Sequence, residues 1–508
     1  MSEIRSSEMT LVVMEITMDR PLPAQKTLLP ARLRRNLMAG ALLTAVVFLV
    51  GALPLAFLYF YARDSRQENE LANGGGIERI ASPAPQVTAS SVVAFINVNI
   101  VPMDAERVIK GQTLIVRGDR ITEIGPAEQV KVPAGALRVD GAGKYLIPGL
   151  VDMHVHLRNY SEQDTATLLR LYVCNGVTTV LNLSGAPRHL ELRARVAKGE
   201  LFGPTIYTSG PFISASPNPP PSPAEIEADV VAQKRAGYDL IKIHGDFTRE
   251  GYRKLFEVAR REKMRVVGHS PRNLGYEVMS EERQDAVAHA EEYIYDRQGS
   301  SGKFAEIEAK IPAIAQATAQ AGTWLIPNLT AYKNIGEQAI DINAVFNRPE
   351  MRYLPPAIAE QWGPASNPYH ARFRHLPADS FWARYRVLEK LTKGFRDAGV
   401  RLLAGTDAMN PSVVPGFSLH DELRDLVAAG LTPYEALRAA TANAAEFLGA
   451  TAEFGTVTIG RRADLALVEA DPLKGVGNAA KRAGVMLRGR WLVGEELRQM
   501  LVKSEDKK

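Results

Sequence analysis

A single cysteine, Cys174, stands among 508 residues, so the chain can form neither an intramolecular disulfide nor a cysteine-rich zinc module. Charge of one sign is equally scarce. With 61 basic and 57 acidic side chains and a formal net charge of +4, the chain lacks the basic field that a nucleic-acid partner requires. No short repeat recurs, which argues against a solenoid or a propeller. The serines of Ser214-Ala-Ser show no nucleophile-elbow context. Histidines number only nine, so any that gather on strand ends carry information.

Apolar material is plentiful. At 46% hydrophobic over this length the chain can bury a large core, as more than one domain or as a barrel with additions. Cys174 ends the apolar run Leu171-Tyr-Val-Cys and reads as a buried structural thiol rather than a nucleophile. Residues 37–61 contain no charged residue. At about 1.5 Å per residue in a helix they exceed the roughly 30 Å hydrocarbon core of a bilayer. One transmembrane anchor is therefore expected. Arg32, Arg34 and Arg35 flank it on one side and a mixture of Arg63, Asp64, Arg66, Glu68 and Glu70 on the other. By the positive-inside rule, residues 1–36 are cytoplasmic and the remainder is extracytoplasmic, periplasmic or extracellular. The run ends in bulky Phe57-Leu-Tyr-Phe-Tyr, which favours an uncleaved anchor over a signal peptide. Residues 62–91, with Gly74-Gly-Gly and Ser82-Pro-Ala-Pro, read as a polar tether.

Short alternating runs follow at Val92 to Val101, Thr113 to Val116 and Ile121 to Ile124. Similar pieces return in Gly455-Thr-Val, Ala463-Asp-Leu-Ala-Leu-Val and Val485-Met-Leu-Arg-Gly. They predict a small β-sandwich built from both flanks, residues 92–147 and 453–500. Between the flanks, apolar runs alternate with helical patterns across residues 148–452, the rhythm of a TIM-type (β/α)8 barrel. The strand candidates are Val151 to His156, Thr178 to Leu183, Thr205 to Thr208, Leu240 to His244, Arg265 to His269, Ala286 to His289, Trp324 to Pro327 and Arg401 to Asp407. Eight strands suffice to close such a barrel.

His154, His156, Lys242, His269, His289 and Asp407 fall at or near the C-terminal ends of these strands, where barrel enzymes place their active sites. Residues two apart in a strand face the same way, so His154 and His156 can grip one ion together. Asp407, after the apolar Leu402-Leu-Ala-Gly, needs a metal, a partner or solvent to offset its desolvation. Such nitrogen and oxygen donors suit zinc, manganese or cobalt. Lys242 lies in apolar Asp239-Leu-Ile-Lys-Ile-His, where an ammonium is unfavourable and a neutral amine could take up carbon dioxide as a carbamate. Pairing with a carboxylate is the simpler alternative for it. His244, two residues on, is a spare candidate for outer support of the site or for contact with substrate.

The stretch from 92 to 500 resembles the amidohydrolase superfamily. The resemblance rests on Pro148-Gly-Leu-Val-Asp-Met-His-Val-His, Gly405-Thr-Asp and Gly455-Thr-Val-Thr-Ile-Gly-Arg-Arg-Ala-Asp-Leu. It leans toward the imidazolonepropionase-like group, which includes dipeptidases. That resemblance implies two divalent ions, zinc first, with His154, His156 and Asp407 on one, His269 and His289 on the other, and a carbamate on Lys242 between them. It further implies hydrolysis of an amide-type C–N bond in a small molecule, such as a dipeptide or an N-acyl amino acid, by a metal-bridged hydroxide with Asp407 as proton shuttle. Many relatives carry an arginine and an aspartate after the second strand, where this chain has Val180-Leu-Asn-Leu-Ser-Gly-Ala-Pro. The competing readings are a mononuclear deaminase or cyclic-amide or lactone hydrolase, and a non-catalytic envelope binding protein. Finally, residues 332–382 form a long insertion with Tyr353, Trp362, Tyr369 and Phe373 among prolines. It is expected as a lid, beside a second proline-rich loop that begins at Ser216-Pro-Asn-Pro.

Overall fold

The computed structural model describes residues 92–215, 219–295 and 304–502. The expected cytoplasmic segment 1–36, anchor 37–61 and tether 62–91 lie outside the described residues, as do residues 216–218 of the second proline-rich loop. Among the described residues no helix is long and apolar enough to cross a membrane.

Both flanks contribute to one sheet. Its strands are β1 (Val92–Ile100), β2 (Ile109–Arg117), β3 (Arg120–Pro126), β4 (Leu137–Asp140) and β5 (Tyr145–Pro148). β1 pairs with β2 along one edge, while on the other edge Val93 to Ile96 pair with β4 and Asn99 and Ile100 with β5. The change of partner occurs where the β1–β2 register slips between Phe95 and Val98, next to Asn97 at φ +55°. Such a bulge bends a strand and strengthens its twist. β1 consequently buries both faces, Phe95 in one apolar cluster and Ala94 in another.

The barrel strands are β6 (Leu150–Val155), β7 (Val177–Asn182), β8 (Thr205–Thr208), β9 (Ile213–Ala215), β10 (Leu240–Gly245), β11 (Arg265–Gly268), β12 (Ala286–Ala288) and β13 (Trp324–Ile326). They form two parallel arcs, β6-β7-β8 and β9-β10-β11-β12-β13. A bridge from Ser209 to Leu240 joins the arcs on one side. On the other side residues 402–408 close the ring through bridges from Leu402 to Leu325 and from Ala408 to Val155. The expected eighth strand is therefore present as isolated bridges rather than a regular strand, because Asp407 turns to φ +62° and leaves the extended region. β9 is an addition that the apolar pattern does not announce. Val151, Leu181, Leu240, Val267, Trp324 and Leu403 meet in one apolar cluster. Since Leu240 shares a strand face with Lys242, polar residues take over as that strand runs toward its C-terminal end.

The chain then returns to the flanking sheet with β14 (Leu465–Val468), β15 (Arg482–Leu487) and β16 (Arg490–Val493), in the order β16-β15-β14-β5-β1-β2-β3. The two layers expected of a sandwich thus belong to a single hydrogen-bonded sheet, curled until Phe95 of β1 meets Trp491 of β16 edge to face at 5.0 Å. Gly455-Thr-Val, expected as a strand, is irregular and bent. Gly455 sits at φ +95°, where an added Cβ would meet that of Ala445 at 2.6 Å.

The insertion is helical. It runs through Leu329–Ile340, Ile342–Phe346, a 3-10 turn at Pro349–Tyr353, Pro356–Trp362 and Pro368–Phe373 before the long helix Ala378–Asp397. Pro349, Pro356 and Pro368 each occupy the first turn of their element, where no backbone donor is required. Prolines that suggest a stiff loop therefore start helices instead. Met351, Leu354, Ile358 and Trp362 pack on Leu168, Leu171, Met409 and Val414. Much of the apolar surface expected of a lid is in this way already committed to the core.

Candidate metal centre

The candidate side chains converge at the strand ends. His154 is in β6 and His156 just past it, Lys242 and His244 are in β10, His269 and His289 follow β11 and β12, and Asp407 lies in the closing segment. Asp407 is the hub. Its Oδ1 is 2.6 Å from His156 Nε2 and 3.3 Å from His154 Nε2, and its Oδ2 is 3.9 Å from His289 Nε2. Ligand atoms of His154, His156 and Asp407 all lie within 4.8 Å of one another. With metal–ligand bonds of about 2.0–2.2 Å, that is close to the spacing around one ion. Next to them, the His289 ring centroid is 4.9 Å from that of His154 and 4.7 Å from that of His269. His244 stands 4.3 Å from His269 and 5.9 Å from Phe212 by the same measure.

Lys242 is fully buried, and its Nζ has His154 Nε2 at 3.4 Å. Burial brings its pKa down to about 8, against the pull of Asp407 and Glu292. Burial likewise lowers the rings, His154 and His269 well below the ordinary range, His289 to about 4 and His244 to about 3. Neutral imidazole is the form that binds a metal. Burial alone would raise Asp407, but His154 and His156 hold it well below the usual carboxylate range. For His154 that requires a charge that burial opposes. A cation at the hub removes that conflict, so the donor set fits a divalent ion.

Three supporting residues escape the sequence reading. Asn328, left-handed at φ +53°, accepts from His154 Nδ1 at 3.1 Å and from the His289 amide at 3.2 Å, and donates to the Gly405 carbonyl at 2.8 Å. Glu292, fully buried, accepts from His269 Nδ1 at 2.8 Å, Ser270 N at 3.2 Å and Arg272 Nη2 at 2.9 Å. Each contact fixes a ring with Nδ1 occupied, so that Nε2 is the nitrogen left for a metal. Asp152 accepts from the His154 and Thr406 amides at 3.2 and 3.0 Å and from Thr406 Oγ1 at 2.6 Å, and so ties the His-x-His strand to the Asp407 segment. Burial raises Asp152 to about 7 despite those bonds. His289 at φ +74° and Asp407 at φ +62° join Asn328 in the left-handed region. Such strain concentrates at functional sites. At the end of β7, Asn182 accepts from Leu157 N at 2.9 Å and donates to Thr208 Oγ1 at 3.0 Å and thereby knits three strand ends together.

The sequence profile of the Amidohydrolase family matches residues 145–492. The imidazolonepropionase of Maricaulis maris (strain MCS10) is 26% identical over 426 residues, covering 77% of this chain and 95% of that protein. Among solved structures, a Bifidobacterium longum protein described as a prolidase superposes with a TM-score of 0.59 at 23% identity, covering 82% of this chain and all of that one. A Xaa-Pro dipeptidase with methionine bound in its active site gives a TM-score of 0.59 at 19% identity, covering 79% of this chain and all of that one. These likenesses bear out the barrel.

Proposed function

The chain belongs to the amidohydrolase family, and on that footing we propose that it cleaves the amide bond of a dipeptide or an N-acyl amino acid at a centre of two divalent ions. As a family member it is a metal-dependent hydrolase acting on carbon–nitrogen bonds. The observation that carries the finer reading is the hub at Asp407, whose carboxylate is shared by His154, His156 and His289 beside a buried lysine. His154, His156 and Asp407 would hold one ion, and His269 and His289 the other, with zinc the first choice for nitrogen and oxygen donors. Burial brings Lys242 to about 8 and so raises the share of its neutral amine, the form that adds to carbon dioxide with loss of a proton to give a carbamate. When bound, such ions supply Lewis acidity toward the scissile carbonyl and lower the pKa of the attacking water.

In this reading Asp407 would accept the proton of the attacking water on a carboxylate oxygen and return it to the leaving amine. Asn328 and Glu292 keep the His154 and His269 rings turned toward the centre throughout. His244, against His269 and Phe212, is assigned to outer support or substrate contact. The neighbours described as prolidase and Xaa-Pro dipeptidase favour a dipeptide, while the imidazolonepropionase keeps a cyclic amide open as the second reading. The uncharged run 37–61 supports anchoring in a membrane with the barrel outside the cytoplasm, which a reporter fused after Lys508 would test.

The deciding experiment screens the metal-loaded full chain against dipeptides, N-acyl amino acids, lactones and cyclic amides, with bound metal counted. Close to two ions per chain and turnover of linear amides are expected. One ion with deamination or ring opening would give the site to the mononuclear reading, and metal-loaded protein inert toward every class would leave a binding protein.

A further inference from the structure

The turn Ala290–Tyr293, directly after His289, presents two carboxylates of different standing. Glu292 is fully buried and holds His269, Ser270 and Arg272. Glu291 remains 13% exposed, and the cation beside it, Arg272 Nη2, is 3.9 Å away, beyond hydrogen-bond range. Arg272 is not free to come closer. It bonds to Glu292 at 2.9 Å and stacks on Tyr295 at 3.8 Å, so turning to Glu291 would sacrifice both contacts. Arg384, from the helix Ala378–Asp397, lies over the Tyr332 and Phe304 rings at 5.9 and 6.0 Å. Glu291 follows His289 by two residues, in the turn whose Glu292 holds His269 Nδ1 at 2.8 Å, and so lies beside the metal centre.

Among the described residues no donor reaches Glu291 at bonding distance, and a largely buried carboxylate in that state is costly unless a ligand or water supplies one. An ammonium fits, with three donors and the opposite charge. Resting on the amide-hydrolase reading above, we propose that Glu291 binds the protonated α-amino group of the substrate, so that dipeptides with a free amine, rather than N-acylated amino acids, are the substrate class.

The test uses the metal-loaded full chain with alanyl-proline, alanyl-alanine and the N-acetylated form of each, in wild type, Glu291→Gln and Glu291→Asp, with metal content and circular dichroism confirming an intact centre. A charge-assisted hydrogen bond corresponds to roughly a tenfold to hundredfold preference for the free amine in kcat/KM. In Glu291→Gln the ratio of free-amine to acetylated turnover should fall toward one, chiefly through KM, and Glu291→Asp should restore part of it. Acetylated peptides handled as well as free ones by the wild type, or a ratio that Glu291→Gln leaves unchanged, would overturn the proposal. If the wild type hydrolyses none of the four peptides, the amide-hydrolase reading fails separately. The peptides are then inert ligands, and calorimetric titration decides. Tighter binding of the free-amine peptides that is lost in Glu291→Gln supports the assignment, whereas equal binding, or none, sinks it.

Discussion

Two buried polar clusters of this chain treat their cations in opposite ways. Where the flanking sheet meets the barrel, Arg482 of β15 donates through Nε to the Cys174 carbonyl at 2.9 Å, through Nη1 to the Ala480 carbonyl at 2.9 Å and through Nη2 to Asn175 Oδ1 at 3.0 Å. His420 Nε2 lies against the Asn175 carbonyl at 2.9 Å in the same cluster. At the mouth of the barrel, Lys242 has a histidine nitrogen at 3.4 Å, and the rings of His154, His269 and His289 crowd one another. In the first cluster each nitrogen of the Arg482 guanidinium meets an oxygen acceptor, while His420 Nδ1 is left without a partner among the described residues. The second brings like donors together without enough acceptors, an arrangement that makes sense once a ligand completes it. What the buried cation finds, oxygen acceptors at the junction and a histidine nitrogen at the mouth, separates the two clusters.

The largest effect should come from taking away the hub of the incomplete cluster. Asp407→Asn or His154→Ala should lower kcat/KM by about a thousandfold or more, with loss of bound metal and little change in the unfolding of the metal-free protein. Hydrolysis rates beside metal analysis check this, and near-normal turnover in either variant would remove Asp407 and His154 from the chemistry. Arg482→Met should do the reverse. It leaves the Cys174, Ala480 and Asn175 acceptors without their donor, a loss of about 3 kcal/mol in denaturant unfolding, while kcat of the folded protein is retained. A stability change under about 1 kcal/mol would show that the three bonds of Arg482 do not hold the junction together.

Acid sharpens the contrast further. Burial lowers His420 to about 3 and His189 to about 4, with Arg482 and Arg188 adding to the effect. An unfolded chain takes up these protons near pH 6.5, whereas the folded one resists until pH 3 to 4. Between those limits the unfolded state binds more protons. The contribution to stability is therefore complete above pH 6.5 and declines on acidification by about 1.4 kcal/mol per pH unit for each histidine. His420→Gln should reduce the slope of unfolding free energy against pH by one proton's worth between pH 6 and 4.5, and an unaltered slope would mean that His420 is already protonated in the fold.

The sequence made one side of this comparison legible and left the other obscure. Candidate ligands could be picked out because histidines are few and stand at the ends of apolar runs, and Asp407 because a carboxylate closes Leu402-Leu-Ala-Gly-Thr. Their supports could not, since each depends on a contact between distant stretches. Asn328 meets His154 across 174 positions, and Asp152 meets Thr406 across 254. Strand placement was readable from apolar runs, but not the bulge in β1 that curls two expected layers into one sheet, nor the irregular closing segment, where one left-handed residue disrupts regular pairing. In the insertion, proline at the start of a helix and proline in a turn look alike in sequence, and the contacts of Trp362 and Ile358 tell them apart.

The smallest effect is the most pointed test, because it concerns the sign of one residue's contribution rather than its size. Lys242 is fully buried with His154 Nε2 at 3.4 Å, and burial outweighs the pull of Asp407 and Glu292, so in the metal-free protein its ammonium loses more than it recovers. Replacing a poorly compensated buried charge by an apolar side chain of similar volume is often neutral or stabilising. Lys242→Met should accordingly leave the unfolding free energy of the metal-free chain within about 1 kcal/mol of wild type, or raise it, although the same change at Arg482 costs about 3 kcal/mol. Loaded with metal, the order should reverse. The variant would lose the stabilisation that ion binding gives wild type, because anything that binds only the folded state adds to its stability. Chemical unfolding of both variants, with and without zinc, reads all four values. A loss of about 3 kcal/mol for Lys242→Met without metal would place Lys242 among the satisfied residues of the scaffold and dissolve the contrast between the two clusters.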